Sequence, residues 1–321
     1  MIAAIDPLED AKDHMSREGW CVVPDVLTQE QTKKVLDELW SVAAGANKRG
    51  EDTFLPFLDP NESNVRVFYL LEHAVFRELI QHPTAIQMVK SVLGENFIIS
   101  NFTANIARPG SKSMGLHSDQ SLVSPDPWTR IEAMNIIWCL TDVYGSTLTH
   151  LRPLLTGSAR GRKFENGATL YIPGSNKWER RQDIAKNAKE MLKPFEAKAG
   201  SIVVMDGTVW HTSGANTTKD QDRALLFGYY TAPHLRQQVN WTRKLSKDVQ
   251  DSLSPEMEEW LGLGVTANLG EAIMHLKYLD DQCCFRQVVA LQVSCHGIQK
   301  VEGYTRFQGR SIPTAPRCVV K

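Results

Sequence analysis

His117 and Asp119, in MGLHSDQSLVSPDPW, are two side chains whose types and spacing could do chemistry together. In an extended segment, residues two apart point to one face, so the imidazole and the carboxylate can grip one metal ion. Alone the pair decides little, because nine histidines and eighteen aspartates in 321 positions give about half a His-x-Asp match by chance. His211 adds weight. It lies ninety-two residues after Asp119, in SIVVMDGTVWHTSG, which reads as an apolar strand, an Asp-Gly turn and a short strand carrying the imidazole. Two histidines and one carboxylate on sheet elements are the parts of a facial triad, which leaves positions open on a non-haem Fe(II). Arg223 follows twelve residues later, at the head of RALLFGYY. A buried arginine there needs an anionic partner, and its planar fork suits the carboxylate of a co-substrate.

Strands must present these groups, and the second half of the chain is written in strands. FIISNFTANIA, MNIIWCL, GATLYIPGS, GSIVVMDGTVWHTSG and RALLFGYYTAP are short β-branched or aromatic runs punctuated by Gly, Pro, Asn and Asp. Helices come earlier. After the strand-like GWCVV, Thr28 is an N-cap with Gln31 as its capping-box partner. Val35, Leu36, Leu39, Trp40 and Val42 then form a helical apolar stripe. HPTAIQMVKSVLG, near 82–94, predicts a second helix stopped by Gly94. Helices first and strands later, without βαβ alternation, argue for an α+β, mainly β protein. A double-sheet jelly roll with flanking N-terminal helices is the natural candidate.

Composition narrows the partners. Thirty-six basic and thirty-seven acidic residues leave a net charge of −1, with no basic surplus for nucleic acid or an anionic membrane. No apolar run reaches bilayer length, and Asp6 interrupts the N-terminus before a signal-peptide core can form. Four of the six cysteines crowd into the last forty residues, in no zinc or disulfide pattern, which suits reduced thiols and a cytoplasmic location. The oligomeric state stays open, a homodimer included.

GLHSDQS, ENGATLYIPGSNKW and VVMDGTVWHTSGANTTKDQDR, with the opening REGWCVVPDVLTQEQ, resemble the phytanoyl-CoA dioxygenase family over residues of about 17–235. These are Fe(II)- and 2-oxoglutarate-dependent oxygenases on a double-stranded β-helix. The resemblance implies that His117, Asp119 and His211 are the iron ligands, and that Arg223 binds the far carboxylate of 2-oxoglutarate with Ser213 beside it. It also implies that Trp138, in NIIWCL, is a cofactor-pocket aromatic, with Thr169 and Arg66 further candidates for that pocket. The cofactor set would be Fe(II), 2-oxoglutarate and O2. The outcome would be hydroxylation or desaturation of a small organic molecule, a natural-product intermediate, with release of succinate and CO2. Asp119 argues against the halide-binding variant, which replaces the carboxylate with a small residue.

Each assignment has a plainer alternative. His117 and Asp119 would make a surface pair, Arg223 would pair with Asp220 or Asp222, and Trp138 would be pure core. Trp128 and its flanking prolines read as a stiffened loop rather than a lid. Asn135 and Met114 face the same region as the triad. At the level of function, the alternatives are a jelly-roll metalloenzyme that uses no 2-oxoglutarate, an isomerase or hydrolase, and a catalytically silent relative.

The chain departs from the family at residues 144–163, where about twenty residues separate two strands that a hairpin of 2–5 would normally join. They could cap the pocket, or be translated intron. The expected organisation is one oxygenase domain over 1–265, containing this insert, and a poorly patterned tail over 266–321.

Overall fold

The computed structural model describes residues 7–49, 63–144 and 166–263. Contacts divide the chain into Met1–Gly264 and Val265–Lys321, and every described residue falls in the first unit. The insert beyond Tyr144, the C-terminal tail and its four cysteines lie outside the described residues.

The chain opens with helix α1 (Pro7–Glu18), strand β1 (Trp20–Val23) and the long helix α2 (Gln29–Lys48). Thr28 caps α2 as its sequence predicts: its hydroxyl accepts from Gln31 N at 3.2 Å, and its own N–H donates to Gln31 Oε1 at 2.9 Å. Strand β2 (Asn64–Val67) leads to helices α3 (Ala74–Ile80) and α4 (Pro83–Leu93). Proline at the first position of α4 and Gly94 at φ 84° set its two ends. Seven strands follow: β3 (Ile98–Ala107), β4 (Ala133–Cys139), β5 (Thr169–Tyr171), β6 (Lys193–Pro194), β7 (Ile202–Asp206), β8 (His211–Ser213) and β9 (Arg223–Thr231). Three short helices, α5 (Trp241–Lys244), α6 (Lys247–Gln250) and α7 (Pro255–Trp260), close the described part. Neither α1 nor these last three is anticipated by the sequence pattern above. No helix among the described residues is long and apolar enough to cross a membrane.

All strand pairs are antiparallel. One sheet has the order β1-β7-β4-β9-β3-β2 and the other β6-β5-β8, an open jelly roll rather than a closed barrel. The outer face of the large sheet carries Met134, Ile136, Trp138, Val204, Leu226 and Phe102. These pack in one buried cluster with Leu39, Phe76, Ile80, Met88 and Val89 of the helices. Its inner face carries Ile137, Cys139, Val203, Met205 and Leu225, which meet Tyr171 and Phe195 on the small-sheet side. Both faces are therefore covered, and every residue of β4 and β7 is buried. A cavity of about 240 Å³ lies along the inner face.

Candidate active site

His117 and His211 come together through main-chain bonds. His117 N donates to His211 O at 3.0 Å and His211 N to His117 O at 2.8 Å, an isolated antiparallel bridge beside β8. The sequence suggests an extended segment through Asp119, and here the structure differs. Asp119 sits at φ −66°, ψ −36°, where the chain turns into a single 3₁₀ turn whose Gln120 N–H donates to Gly207 O at 2.8 Å. The turn carries the carboxylate toward both rings: Asp119 Oδ1 is 3.7 Å from His117 Nε2, and Oδ2 is 3.7 Å from His211 Nε2. Gly207 in turn lies close against Ala133 at the head of β4, where a Cβ would meet Ala133 O at 2.7 Å. The same β7–β8 turn is held by Asp206, whose Oδ1 accepts from Thr208 N at 2.8 Å and Thr208 Oγ1 at 2.5 Å. Burial pushes the Asp206 carboxyl up to about 6.

Each ring is oriented by its other nitrogen. His117 Nδ1 lies 2.9 Å from Gly115 O and His211 Nδ1 2.9 Å from Val209 O. A carbonyl oxygen can only accept, so Nδ1 carries the proton and Nε2 of the neutral ring is left as a donor atom. Desolvation draws the His211 pKa down, opposed by Asp119 and reinforced by His117. Asn135 Nδ2 donates to Asp119 Oδ2 at 2.5 Å, and Tyr229 donates its hydroxyl to the Asp119 carbonyl at 3.3 Å. One donor atom from each of His117, Asp119 and His211 lies within 4.8 Å of the others. The 3.7 Å separations exceed a hydrogen bond and leave the three side chains free to hold a divalent ion, so the residues would fit a metal.

The other end of the cavity is cationic. Arg223 is 1% exposed, and its Nε donates to Gly167 O at 3.0 Å and its Nη1 to Asn105 Oδ1 at 3.0 Å. Asp222 faces Arg108 at 3.8 Å instead, so the surface-pair alternative does not hold. Arg66 points into the same cavity and donates to Met114 Sδ at 2.9 Å. Burial pulls both guanidinium pKa values down, that of Arg223 to about 10, which leaves Arg223 charged at neutral pH. Neither arginine makes an ion pair with a carboxylate among the described residues. Ser213 Oγ accepts from Met114 N at 3.1 Å, leaving its hydroxyl hydrogen to donate, and Thr169 is its register partner on β5.

His117, Asp119, His211, Ser213, Arg223, Thr169 and Arg66 all line the cavity. Trp138 does not, and the expectation of a pocket aromatic there is corrected. Residues 135, 137 and 139 of β4 face inward, so Trp138 faces the helices, unexposed, with its ring 5.7 Å from that of His82. Trp128 is buried against Trp210 and donates to Ser124 O at 3.0 Å, part of a stiffened loop. Asn135 and Met114 both line the cavity. Asn105 and Tyr229 went unseen by sequence reasoning. Inward parity counted forward from Arg223 would have found Tyr229, since 223, 225, 227 and 229 share a face.

Against known proteins, the model of the family described as phytanoyl-CoA dioxygenase (PhyH) matches residues 15–146 and 163–224, well over half the chain. The chain belongs to the phytanoyl-CoA dioxygenase family. It is a non-haem iron, 2-oxoglutarate-dependent dioxygenase that acts on a small molecule. Dioxygenase af480 of Aspergillus fumigatus is 51% identical over 257 residues, 80% of this chain and 77% of that protein. Among solved structures of the same fold, HygX from Streptomyces hygroscopicus with nickel and 2-oxoglutarate aligns at a TM-score of 0.54. It is 15% identical, over 73% of this chain and 90% of that one. The epimerase SnoN, in complex with Fe3+, alpha ketoglutarate and nogalamycin RO, aligns at 0.53 with 16% identity, over 78% and 92%. The family match passes over residues 147–162, inside the stretch that the sequence sets apart.

Proposed function

We propose that His117, Asp119 and His211 hold Fe(II), and that Arg223 and Ser213 bind the far carboxylate of 2-oxoglutarate, with Thr169 and Arg66 at the same end of the pocket. The observation that carries this reading is the buried Arg223, with half-buried Arg66 beside it and neither paired with a carboxylate among the described residues, sharing one cavity with the triad. A buried cation without a counter-charge is costly, and a dicarboxylate that reaches from the triad to Arg223 supplies one. When bound, the iron and co-substrate supply an oxidant able to attack an unactivated C–H bond.

The chain's own residues set the stage. The Nδ1 hydrogen bonds fix both imidazole rings with Nε2 toward the Asp119 carboxylate, and Asn135 steadies that carboxylate between them. Arg223 and the Ser213 hydroxyl orient the co-substrate and fix its distance from the triad. The remaining lining, including Phe68, Thr103, Met205, Phe227 and Tyr229, is uncharged, which suits a neutral organic substrate. We read that substrate as a natural-product intermediate that is hydroxylated or desaturated, with succinate and CO2 released. Residues 144–163 form an insert in a domain ending near 265.

The test is anaerobic. Fe(II) followed by 2-oxoglutarate should give the weak visible charge-transfer band of the chelate in the parent, and no band in His211→Ala or Arg223→Ala. A folded, iron-loaded parent without the band would sink the co-substrate assignment. Removing residues 145–162 from such a parent, and recovering the band, would trace the failure to a blocked pocket.

A further inference from the structure

At the cavity end remote from Arg223 the lining is uncharged apart from the triad, and one of its side chains, Asn101, stands next to a fault in the sheet. β3 and β9 run in register from Ala107↔Arg223 to Asn101↔Tyr229, then skip Ser100 and resume at Ile99↔Tyr230. Ser100 is the extra residue of a β-bulge; Asn101, Thr103 and Asn105 alternate inward on one side of it, and Ile99 on the other packs with the helix-side cluster. The bulge is clamped: Ser100 Oγ accepts from Gln238 N at 2.9 Å, and Ser100 O from Val239 N at 3.1 Å. The clamp also delivers the Gln238 side chain, whose Oε1 accepts from Asn101 Nδ2 at 3.0 Å. Asn101 Oδ1 is shielded from water and has no hydrogen-bond partner among the described residues. Such an atom is costly unless a ligand satisfies it. Exchanging the two ends of the amide would strand an N–H instead, and a hydroxyl, donor and acceptor at once, answers either arrangement.

Asn101, Tyr229 and Asn135 lie in one inward row across β3, β9 and β4. Two strand spacings, roughly 10 Å, separate the first from the last, and Asn135 touches Asp119. We propose that Asn101, supported by Gln238, is a specificity-determining residue that recognises a hydroxyl group on a neutral substrate, while the carbon to be oxidised lies at the triad. A carboxylate beside Asn101 would find no cation among the lining side chains at this end, and the carboxylate there, Asp119, belongs to the triad. The inference rests on the oxygenase reading above.

The test uses the full chain with Fe(II) and 2-oxoglutarate, and menthol, borneol and decalinol, each beside its deoxy hydrocarbon and its amine analogue. Binding is read anaerobically by the shift in thermal unfolding, and turnover in air by succinate release. The alcohols should bind about tenfold tighter than their deoxy and amine partners. Asn101→Leu should erase that preference, Asn101→Ser should recover part of it, and Gln238→Leu, at an exposed position, should weaken it without threatening the fold. Equal binding of alcohol and hydrocarbon, tighter binding of the amine, no binding by any alcohol, or a preference that survives Asn101→Leu would each overturn the proposal. A parent that shows neither the charge-transfer band nor succinate release without a probe brings down the oxygenase reading instead, and this inference with it.

Discussion

On β4, Met134, Ile136 and Trp138 point to the helices, while Asn135, Ile137 and Cys139 point into the gap between the sheets. The first set belongs to a continuous apolar cluster that also takes in α2, α3 and α4. The second set runs from a residue that touches Asp119 to a cysteine whose thiol is pushed up to about 12 by burial. A step of one residue along the strand thus separates packing from chemistry. The lesson is that burial alone does not mark the site. What marks the inner face is polar side chains with specific partners, Asn105 with Arg223 and Asn135 with Asp119.

Substitutions on the two faces should fail in different ways. The largest effect belongs to the inner face: Asp119→Ala should remove stoichiometric iron and lower succinate formation by on the order of a thousandfold or more, while thermal unfolding stays cooperative. Iron retained at full stoichiometry would exclude Asp119 as a ligand. Next comes the outer face, where Trp138→Ala should cost about 3–5 kcal/mol in denaturant unfolding, because the helices cannot collapse onto the gap. The affinity for 2-oxoglutarate, measured where the variant is folded, should stay within a few-fold of the parent; a large loss would return Trp138 to the pocket. Arg223→Leu should raise the KM for 2-oxoglutarate by roughly ten- to a hundredfold, the scale of a charge-assisted hydrogen bond, without loss of stability. The smallest change touches only the cover: Thr28→Ala should cost about 1 kcal/mol through the lost α2 cap and leave every kinetic constant unmoved.

The sequence made one face of this comparison easier to read than the other. The capping box at Thr28 and Gln31, the stop at Gly94 and the strand runs are local signals, and local hydrogen bonds and steric rules decide them. The triad was legible for the same reason, since short motifs carry it. Trp138 was misplaced because β4 is buried on both sides, which erases the alternation that would have told Asn135 from Trp138. The turn at Asp119 depends on a bond from Gln120 N to Gly207 O, eighty-seven residues further on, and no local pattern announces it. The bulge at Ser100 is equally non-local, being fastened by residues 238 and 239.

The bridge between His117 and His211 has a practical consequence. Its two main-chain bonds owe nothing to an ion, so the conformational entropy of bringing the imidazoles together is spent during folding rather than at loading. A socket assembled in advance welcomes any divalent ion of suitable size, and nitrogen donors favour nickel and copper over ferrous iron. Discrimination between metals then falls to what the surroundings supply. Protein drawn over a nickel resin would leave the column carrying the wrong passenger, and an inactive preparation should be stripped with chelator and reloaded before its chemistry is judged.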